Sequence, residues 1–88
     1  MAESFRLSVV TGDGTVFDDT VEYVNLPTGF GSIGVLANHA PLLCAIEPGV
    51  VRCTKEGQTL RIRVGSGVAS VENNEATLLV SDAACLEE

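Results

Sequence analysis

Short runs in which apolar and polar residues alternate constrain the fold of this chain more than any other feature. Side chains two residues apart lie on the same face of a β-strand, so this alternation predicts strands with one buried and one exposed face. The apolar members of the clearest runs are Phe5, Leu7 and Val9; Leu60, Ile62 and Val64; and Ala76, Leu78 and Val80. In the last run we also expect Leu79 to be a core residue.

Residues typical of tight turns separate these runs. Glycine and asparagine adopt positive φ at little steric cost, and proline followed by glycine favours a reverse turn. The predicted turns are Gly12-Asp13-Gly14, Pro27-Thr28-Gly29, Pro48-Gly49, Glu56-Gly57 and Asn73-Asn74. The predicted strands are 5–11, 15–17, 20–26, 30–35, 42–46, 50–54, 59–65, 67–72 and 75–80. This spacing is typical of an all-β sandwich or barrel.

The C-terminal residues follow a different pattern. Ser81-Asp82 resembles a helix N-cap, and the segment 83–88 behind it predicts a single helical turn. A chain of 88 residues has room for one hydrophobic core. We therefore expect one domain over residues 1–82 and a short tail over 83–88.

Charge and hydropathy exclude several classes of partner. Twelve acidic and five basic residues give a net charge of −7, which repels phosphate backbones and anionic lipids. No apolar stretch approaches the roughly 20 residues that a transmembrane helix needs. The first residues lack the basic flank and apolar run of a secretory signal, which indicates the cytoplasm or a chain whose signal has been removed. We expect a protein partner, no nucleic acid and no membrane insertion.

The chain has three cysteines, Cys44, Cys53 and Cys85. They fit no zinc spacing, and the single histidine, His39, cannot form a histidine pair, so we expect no metal ion and three reduced, mostly buried thiols. Cys44 and His39 leave open a small cysteine-dependent hydrolase, but Cys44 shares a predicted strand face with two aliphatic residues, where burial makes a thiol inert. Pairing of Cys44 with Cys53 is disfavoured because Pro48-Gly49 suits a tight hairpin poorly.

Two further motifs have functional alternatives. The segment Gly29–Gly34 has the G-x-G-x-x-G spacing of a nucleotide-binding loop, but no predicted helix follows it, so hairpin geometry and close strand approach explain it better. Lys55 lies at a predicted hairpin tip, where a lipoyl or biotinyl carrier domain presents its modified lysine. The flanking residues lack the carrier signature. A carrier domain modified on Lys55 is therefore kept only as the alternative function.

Several strings in the sequence are familiar when they are taken together. They are Phe5-Arg6-Leu7-Ser8-Val9-Val10-Thr11, Gly14, Val16-Phe17, Val21-Glu22-Tyr23-Val24, Gly34-Val35-Leu36-Ala37-Asn38-His39-Ala40-Pro41-Leu42-Leu43 and Pro48-Gly49-Val50-Val51-Arg52. In this order and spacing they resemble the N-terminal domain of the epsilon subunit of F-type ATP synthases, which is called delta in mitochondria. The stretch 34–43 is the most specific, and the resemblance runs from residue 5 to residue 82.

The resemblance implies a ten-stranded β-sandwich of two five-stranded sheets, without cofactor, substrate or chemistry of its own. It implies a non-catalytic rotor subunit of the central stalk that connects the gamma subunit to the c-ring and supports coupling of proton transport to ATP synthesis. Its implied location is the cytoplasmic face of an energy-transducing membrane, as a peripheral part of F1. The implied gamma contacts are Thr11, His39, Cys44 and Ser66, and the implied c-ring contacts are Ser32, Asn38, His39 and Ala40.

Two departures from the family pattern affect these expectations. Relatives often carry a glutamate where this chain has Ser32, so a charge pair with a basic residue of the ring is not available at that position. The family usually continues into a C-terminal helical hairpin that restrains ATP hydrolysis. We expect this chain to lack the hairpin and to be unable to inhibit through an extended helix.

Overall fold

Ten strands form two five-stranded sheets in the computed structural model, which describes residues 3–86. The strands are β1 Phe5–Thr11, β2 Gly14–Val21, β3 Tyr23–Thr28, β4 Gly31–Leu36, β5 Leu42–Ile46, β6 Gly49–Lys55, β7 Gln58–Val64, β8 Gly67–Glu72, β9 Glu75–Val80 and β10 Ala83–Leu86. The first sheet has the order β2-β1-β9-β8-β5, and the second has the order β10-β7-β6-β3-β4. The predicted all-β sandwich of two five-stranded sheets is confirmed.

The core lies between the two sheets and consists of the inward members of the alternating runs. β1 buries Phe5, Leu7 and Val9, and its alternate side chains lie on the outer face. Burying an aliphatic side chain of this size stabilises the fold by about 1.5–3 kcal/mol. The prediction that Leu79 is a core residue is wrong, because Leu79 is 54% exposed. Its position between Leu78 and Val80 puts it on the outer face of β9.

Positive backbone angles confirm most of the predicted turns. Glu56-Gly57 has φ values of 51° and 81°, and Asn73-Asn74 has φ values of 51° and 62°. Both are the two-residue connections that match the twist of an antiparallel hairpin. The turn predicted at 27–29 is displaced, because β3 continues through Thr28, which pairs with Gly31 across the two-residue connection Gly29-Phe30.

Close strand approach explains Gly34, the last residue of the glycine-rich motif. A Cβ atom at this position would lie 2.6 Å from the hydroxyl oxygen of Tyr23, on the neighbouring strand β3. The motif is therefore part of the β3–β4 hairpin, as predicted, and no helix follows it in residues 31–46.

The predicted helical turn after Ser81-Asp82 is wrong for residues 83–86, which form β10. Ala83 pairs with Val64, and the Gly65 N–H donates to the Asp82 carbonyl at 2.9 Å. A single helical turn would leave backbone N–H and C=O groups of residues 83–86 without partners, and the edge of β7 supplies those partners. This gain outweighs the local helix preference of alanine. Residues 87–88 of the predicted turn lie outside the described residues. No helix that could span a membrane occurs in residues 3–86.

Candidate partner-binding surface

An exposed apolar row crosses four strands on the outer face of the first sheet. Register pairs Val10 with Leu79, Leu79 with Val68, and Val68 with Ala45. We call these four residues, with Leu43 of β5, the apolar patch. Leu43, Val68 and Leu79 are 76%, 46% and 54% exposed. Contiguous exposed apolar surface on a soluble domain is typical of a protein-binding site.

The other half of the same outer face is charged. The Arg6 guanidinium donates to both carboxylate oxygens of Asp18, at 2.8 and 2.7 Å, and the Glu75 carboxylate lies 3.8 Å from Arg6. The hydrogen bond from Arg6 holds the pKa of Asp18 below its ordinary value, and the same bond raises the pKa of Arg6. The face is thus divided between an apolar half and an ion-paired half.

A second ion pair joins the two sheets. Lys55 at the end of β6 donates to Asp19 on β2. The hydrogen bond from Lys55 lowers the pKa of Asp19, and the reciprocal bond raises the pKa of Lys55. The ammonium group of Lys55 is held at the sandwich surface by Asp19, and the hairpin turn itself consists of Glu56-Gly57.

The connections between strands lie at two opposite ends of the sandwich. We call the end with the Gly29-Phe30 turn, Thr11 and Ser66 the tip end, where the Glu47 N–H donates to the Pro27 carbonyl at 3.0 Å and links the sheets. The opposite end contains the β4–β5 connection and the Asn73-Asn74 turn, and we call it the Asn74 end.

Asn74 makes three hydrogen bonds at its end of the molecule, and Asn38 adds a fourth. Its Oδ1 accepts the Asn38 N–H at 2.7 Å, and its Nδ2 donates to the Ser4 carbonyl at 2.9 Å. Its own carbonyl accepts the Arg6 N–H at 3.2 Å, and Asn38 Nδ2 donates to Glu3. From the sequence, Asn74 is predicted only as a turn residue. The choice of asparagine over glycine is the one signal that could have indicated a side-chain role.

A family model named "ATP synthase, Delta/Epsilon chain, beta-sandwich domain" matches residues 4–85. The chain belongs to this ATP synthase delta/epsilon family. The ATP synthase epsilon chain of Desulfitobacterium hafniense is 43% identical over 83 residues, which cover 94% of this chain and 63% of that relative. The epsilon chain of Synechococcus sp. strain JA-2-3B'a(2-13) is 51% identical over 80 residues, covering 91% and 58%. The chain therefore spans less than two thirds of the length of these relatives.

Solved structures share the delta/epsilon sandwich fold. A chain of the Euglena gracilis mitochondrial ATP synthase superposes with a TM-score of 0.88 at 24% identity, over 97% of this chain and 55% of that chain. A chain of the Tetrahymena thermophila mitochondrial ATP synthase central stalk and c-ring superposes with a TM-score of 0.78 at 12% identity, over 94% and 67%. At these identities the likeness shows the fold.

The residues expected to contact a gamma subunit fall into two groups in this family member. Thr11 and Ser66 lie at the tip end, and Cys44 lies on β5 between patch residues Leu43 and Ala45. Thr11 is buried, at 9% exposed, and the Cys44 side chain packs against the core, on the face of β5 opposite Leu43 and Ala45. His39 lies in the β4–β5 connection near the Asn74 end, away from the other three.

The residues expected to contact a c-ring are not brought together either. Ser32 is exposed on β4 near the tip end, whereas Asn38, His39 and Ala40 follow the other end of that strand. Ser32 and Asn38 are six positions apart, which corresponds to roughly 20 Å along an extended chain. Phe30, at the hairpin turn beside Ser32, is fully exposed at 102% and was not identified from the sequence.

The geometry gives no support to a Cys44–His39 hydrolase. The Nδ1 atom of His39 lies 2.6 Å from the Ala40 carbonyl, and Cys44 pairs with Ala69 in the middle of a ladder. Burial raises the pKa of Cys44, which disfavours the reactive thiolate. Cys53 lies in the other sheet and is buried, and Cys85 is exposed, so the expectation of mostly buried thiols is wrong for Cys85.

Proposed function

We propose that the protein is a non-catalytic central-stalk subunit of an F-type ATP synthase. It connects the gamma subunit to the c-ring and supports coupling of proton transport to ATP synthesis. In this role it lies at the cytoplasmic face of an energy-transducing membrane, as a peripheral part of F1. Family membership over residues 4–85 and the epsilon-chain relatives support the proposal.

The observation that carries the proposal is the apolar patch. A 9.2 kDa acidic domain exposes a row of aliphatic side chains across four strands of one sheet. Water contact at such a row is unfavourable, and burying it against a partner contributes roughly 25 cal/mol per Å² of apolar surface. A rotor subunit transmits torque through its interfaces, so a rigid sheet with an apolar face suits this role. We assign the patch to the gamma subunit, with Thr11, Cys44 and Ser66 at its border.

Two matched substitutions test this assignment. Leu79→Asp places a charge in the apolar patch, and Leu36→Asp makes the same change on β4, where Leu36 is 62% exposed on the other sheet. We expect Leu79→Asp to weaken binding to the purified gamma subunit at least about tenfold, because a desolvated carboxylate has no partner in an apolar contact. Leu36→Asp should retain wild-type affinity in the same calorimetric titration. Equal affinities for both variants would refute the assignment.

Function is tested by reconstitution. Adding the chain to ATP synthase that lacks this subunit should restore ATP synthesis driven by a proton gradient in vesicles. Leu79→Asp should restore it less well than Leu36→Asp at equal concentrations. Unchanged synthesis on adding the wild-type chain would sink the proposal as a whole.

The c-ring contact is assigned to one end of the sandwich. Ser32 at the tip end and Asn38, His39 and Ala40 at the Asn74 end are the alternative contacts. The exposed Phe30 favours the tip end, because an unpacked aromatic ring is a common interface anchor. Cysteines introduced at Ser32 or Ala40, in a Cys44→Ser and Cys85→Ser background where the remaining Cys53 is buried, would report proximity to the ring by cross-linking in the assembled enzyme. We expect a product from Ser32→Cys. A product from Ala40→Cys alone would place the ring at the Asn74 end.

A further inference from the structure

Strands β3, β4 and β5 and the connections between them contain no formally charged residue. From Tyr23 to Ile46 the sequence contains no Asp, Glu, Lys or Arg, and all five basic and twelve acidic residues lie outside this stretch. The stretch supplies β3, the edge strand β4 and the edge strand β5. It also contains Phe30, Leu36 and Leu43, three of the five large hydrophobic residues that are exposed within residues 3–86. Edge strands normally carry charges that prevent pairing with another chain.

The register shows which backbone groups of β5 are open. Glu72 and Glu75 flank the two-residue turn at Asn73-Asn74, so these two residues exchange backbone hydrogen bonds. Because hydrogen-bond direction alternates along a strand, Ala69 directs its N–H and C=O toward β5, where its partner is Cys44. Leu43 and Ala45 therefore direct theirs away from β8.

Glu47, the next residue directed away from β8, forms a backbone hydrogen bond outside the ladder. The Glu47 N–H donates to the Pro27 carbonyl at 3.0 Å, which closes the edge at its tip end. Within residues 3–86, Leu43 and Ala45 have no backbone partner outside the β5–β8 ladder. Leu43 and Ala45 thus present unpaired backbone donors and acceptors, whereas Glu47, the next outward-directed residue, is paired with Pro27.

A groove of about 460 Å³ lies beside this edge. One wall is the β3–β4 hairpin with Phe30 and Ile33, and the other is β5 with Leu43 and Ala45. Glu47 lines the groove at its closed end, and no ion pair within residues 3–86 involves its carboxylate. The groove therefore combines an open strand edge, apolar walls and one unpaired negative charge.

We propose that an extended segment of the gamma subunit adds as a strand along the β5 edge and fills this groove. This inference rests on the proposed function. The patch assigned to gamma continues directly into the edge, because Leu43 and Ala45 belong to both. The segment has apolar residues at alternate positions and a basic residue beside Glu47. Its backbone pairs with Leu43 and Ala45, in the manner of strand addition to an exposed sheet edge.

Hydrogen exchange of the unmodified chain tests the backbone pairing. We expect the Leu43 and Ala45 amides to exchange at least about tenfold more slowly in the gamma complex than in the free chain. The Ala83 and Cys85 amides are the internal control, because the same alternation, counted from the Lys55–Gln58 pair, directs them to the free edge of β10. A complex in which Leu43 and Ala45 remain unprotected overturns the inference and leaves the proposed function standing. Absence of any complex refutes the proposed function itself.

A matched pair of prolines tests the same point by substitution. Ala45→Pro removes an outward N–H without breaking the β5–β8 ladder, and Cys85→Pro does the same at the β10 edge. We expect Ala45→Pro to weaken gamma binding about tenfold and Cys85→Pro to leave it within about twofold, with similar unfolding midpoints for both. Glu47→Gln should weaken binding at low salt and less at high salt.

A second copy of this chain is the competing occupant of the edge. If Ala45→Pro abolished self-association of the isolated chain and left gamma affinity unchanged, the occupant would be another copy and the proposal would be wrong. Equal loss of gamma affinity in Ala45→Pro and Cys85→Pro would also contradict it.

Discussion

The edge strands on the two sides of the sandwich differ in charge and regularity. We call the side of β2 and β10 the guarded side and the side of β4 and β5 the bare side. On the guarded side, β2 carries Asp18 and Asp19 in ion pairs and has an irregular register opposite Val9 and Val10, and β10 has only four residues. Charges, bulges and short strands are the usual means of preventing edge pairing. The bare side has none of these charges.

In the proposed role, the charged surface that keeps copies of the chain apart and the surface that binds gamma are different parts of one small domain. A chain with a net charge of −7 is kept apart from its copies by the charges around most of its surface. The bare side can expose apolar residues and open backbone groups only because the rest of the molecule supplies that repulsion. On the bare side, β5 with Leu43 and Ala45 continues the apolar patch, so the patch and the open edge form one surface. Leu36 lies at the Asn74 end of β4, outside the groove.

A substitution in β8, the strand that pairs with the bare edge strand β5, should have the largest effect on the free energy of unfolding. A Cβ atom at Gly67 on β8 would overlap the carbonyl oxygen of Leu79 and lie 2.6 Å from the Val80 Cα. Because these are backbone atoms, Gly67→Ala must displace β9, and we expect the free energy of unfolding to fall by about 2–3 kcal/mol.

Urea denaturation measures this loss, and Gly12→Ala is the control. A Cβ atom at Gly12 would have no neighbour within 4 Å, so that variant should unfold like the wild type. Equal stability of Gly67→Ala and Gly12→Ala would show that the sheet beside the bare edge is more compliant than its packing indicates.

Thiol reactivity compares the two sides directly, since each edge has one cysteine. Cys85 lies exposed on β10, and Cys44 on β5 has a pKa raised by burial. Cys53 between the sheets has a pKa of about 11, chiefly because of burial. At pH 8 we expect maleimide to label Cys85 first, Cys44 more slowly, and Cys53 at least about 100-fold more slowly than Cys85.

Mass spectrometry of labelled peptides gives the three rates. The gamma subunit should slow labelling of Cys44 and leave Cys85 unchanged, because only Cys44 lies beside the proposed interface. Protection of Cys85 instead would assign the interface to the guarded side.

Adding a charge to the bare edge should convert it into a guarded one. Ala45 is exposed on β5, so Ala45→Lys should change the free energy of unfolding by no more than about 0.5 kcal/mol. At high protein concentration the variant should self-associate less than the wild type in analytical ultracentrifugation, because an edge lysine opposes strand pairing. Thr20→Lys on β2 is the matched control, and a similar reduction there would indicate a general charge effect.

The sequence was most informative where local chemistry and burial agree. Period-two alternation located most strands, and the glycine and asparagine turns were confirmed by positive φ. Leu79 was misread although the alternation with Leu78 and Val80 places it on the outer face. Residues 83–86 were misread because their conformation depends on long-range pairing. Leu79 lies between two buried apolar residues, so residue type alone does not distinguish it from a core leucine. The alanine-rich β10 is a strand because it pairs with the edge of β7. The groove between Phe30 and Leu43 also depends on contact between different sheets, which no local pattern contains.

The smallest expected effect concerns acid and the guarded side. Hydrogen bonds from Arg6 and Lys55 hold the pKa values of Asp18 and Asp19 below their ordinary value of 3.8. A carboxyl group whose pKa is lowered by folding contributes stability above its unfolded pKa, and this contribution is lost as pH falls through the folded pKa. Both groups are exposed, so solvent screening keeps the contribution small.

Asp18→Asn should therefore lower the urea midpoint slightly at pH 7, and the difference from wild type should shrink below about pH 4. Ser32→Ala on the bare side should show no such dependence, since no titrating group is removed. A constant difference for Asp18→Asn across this range would mean that packing, and not the charge of Asp18, stabilises the guarded edge.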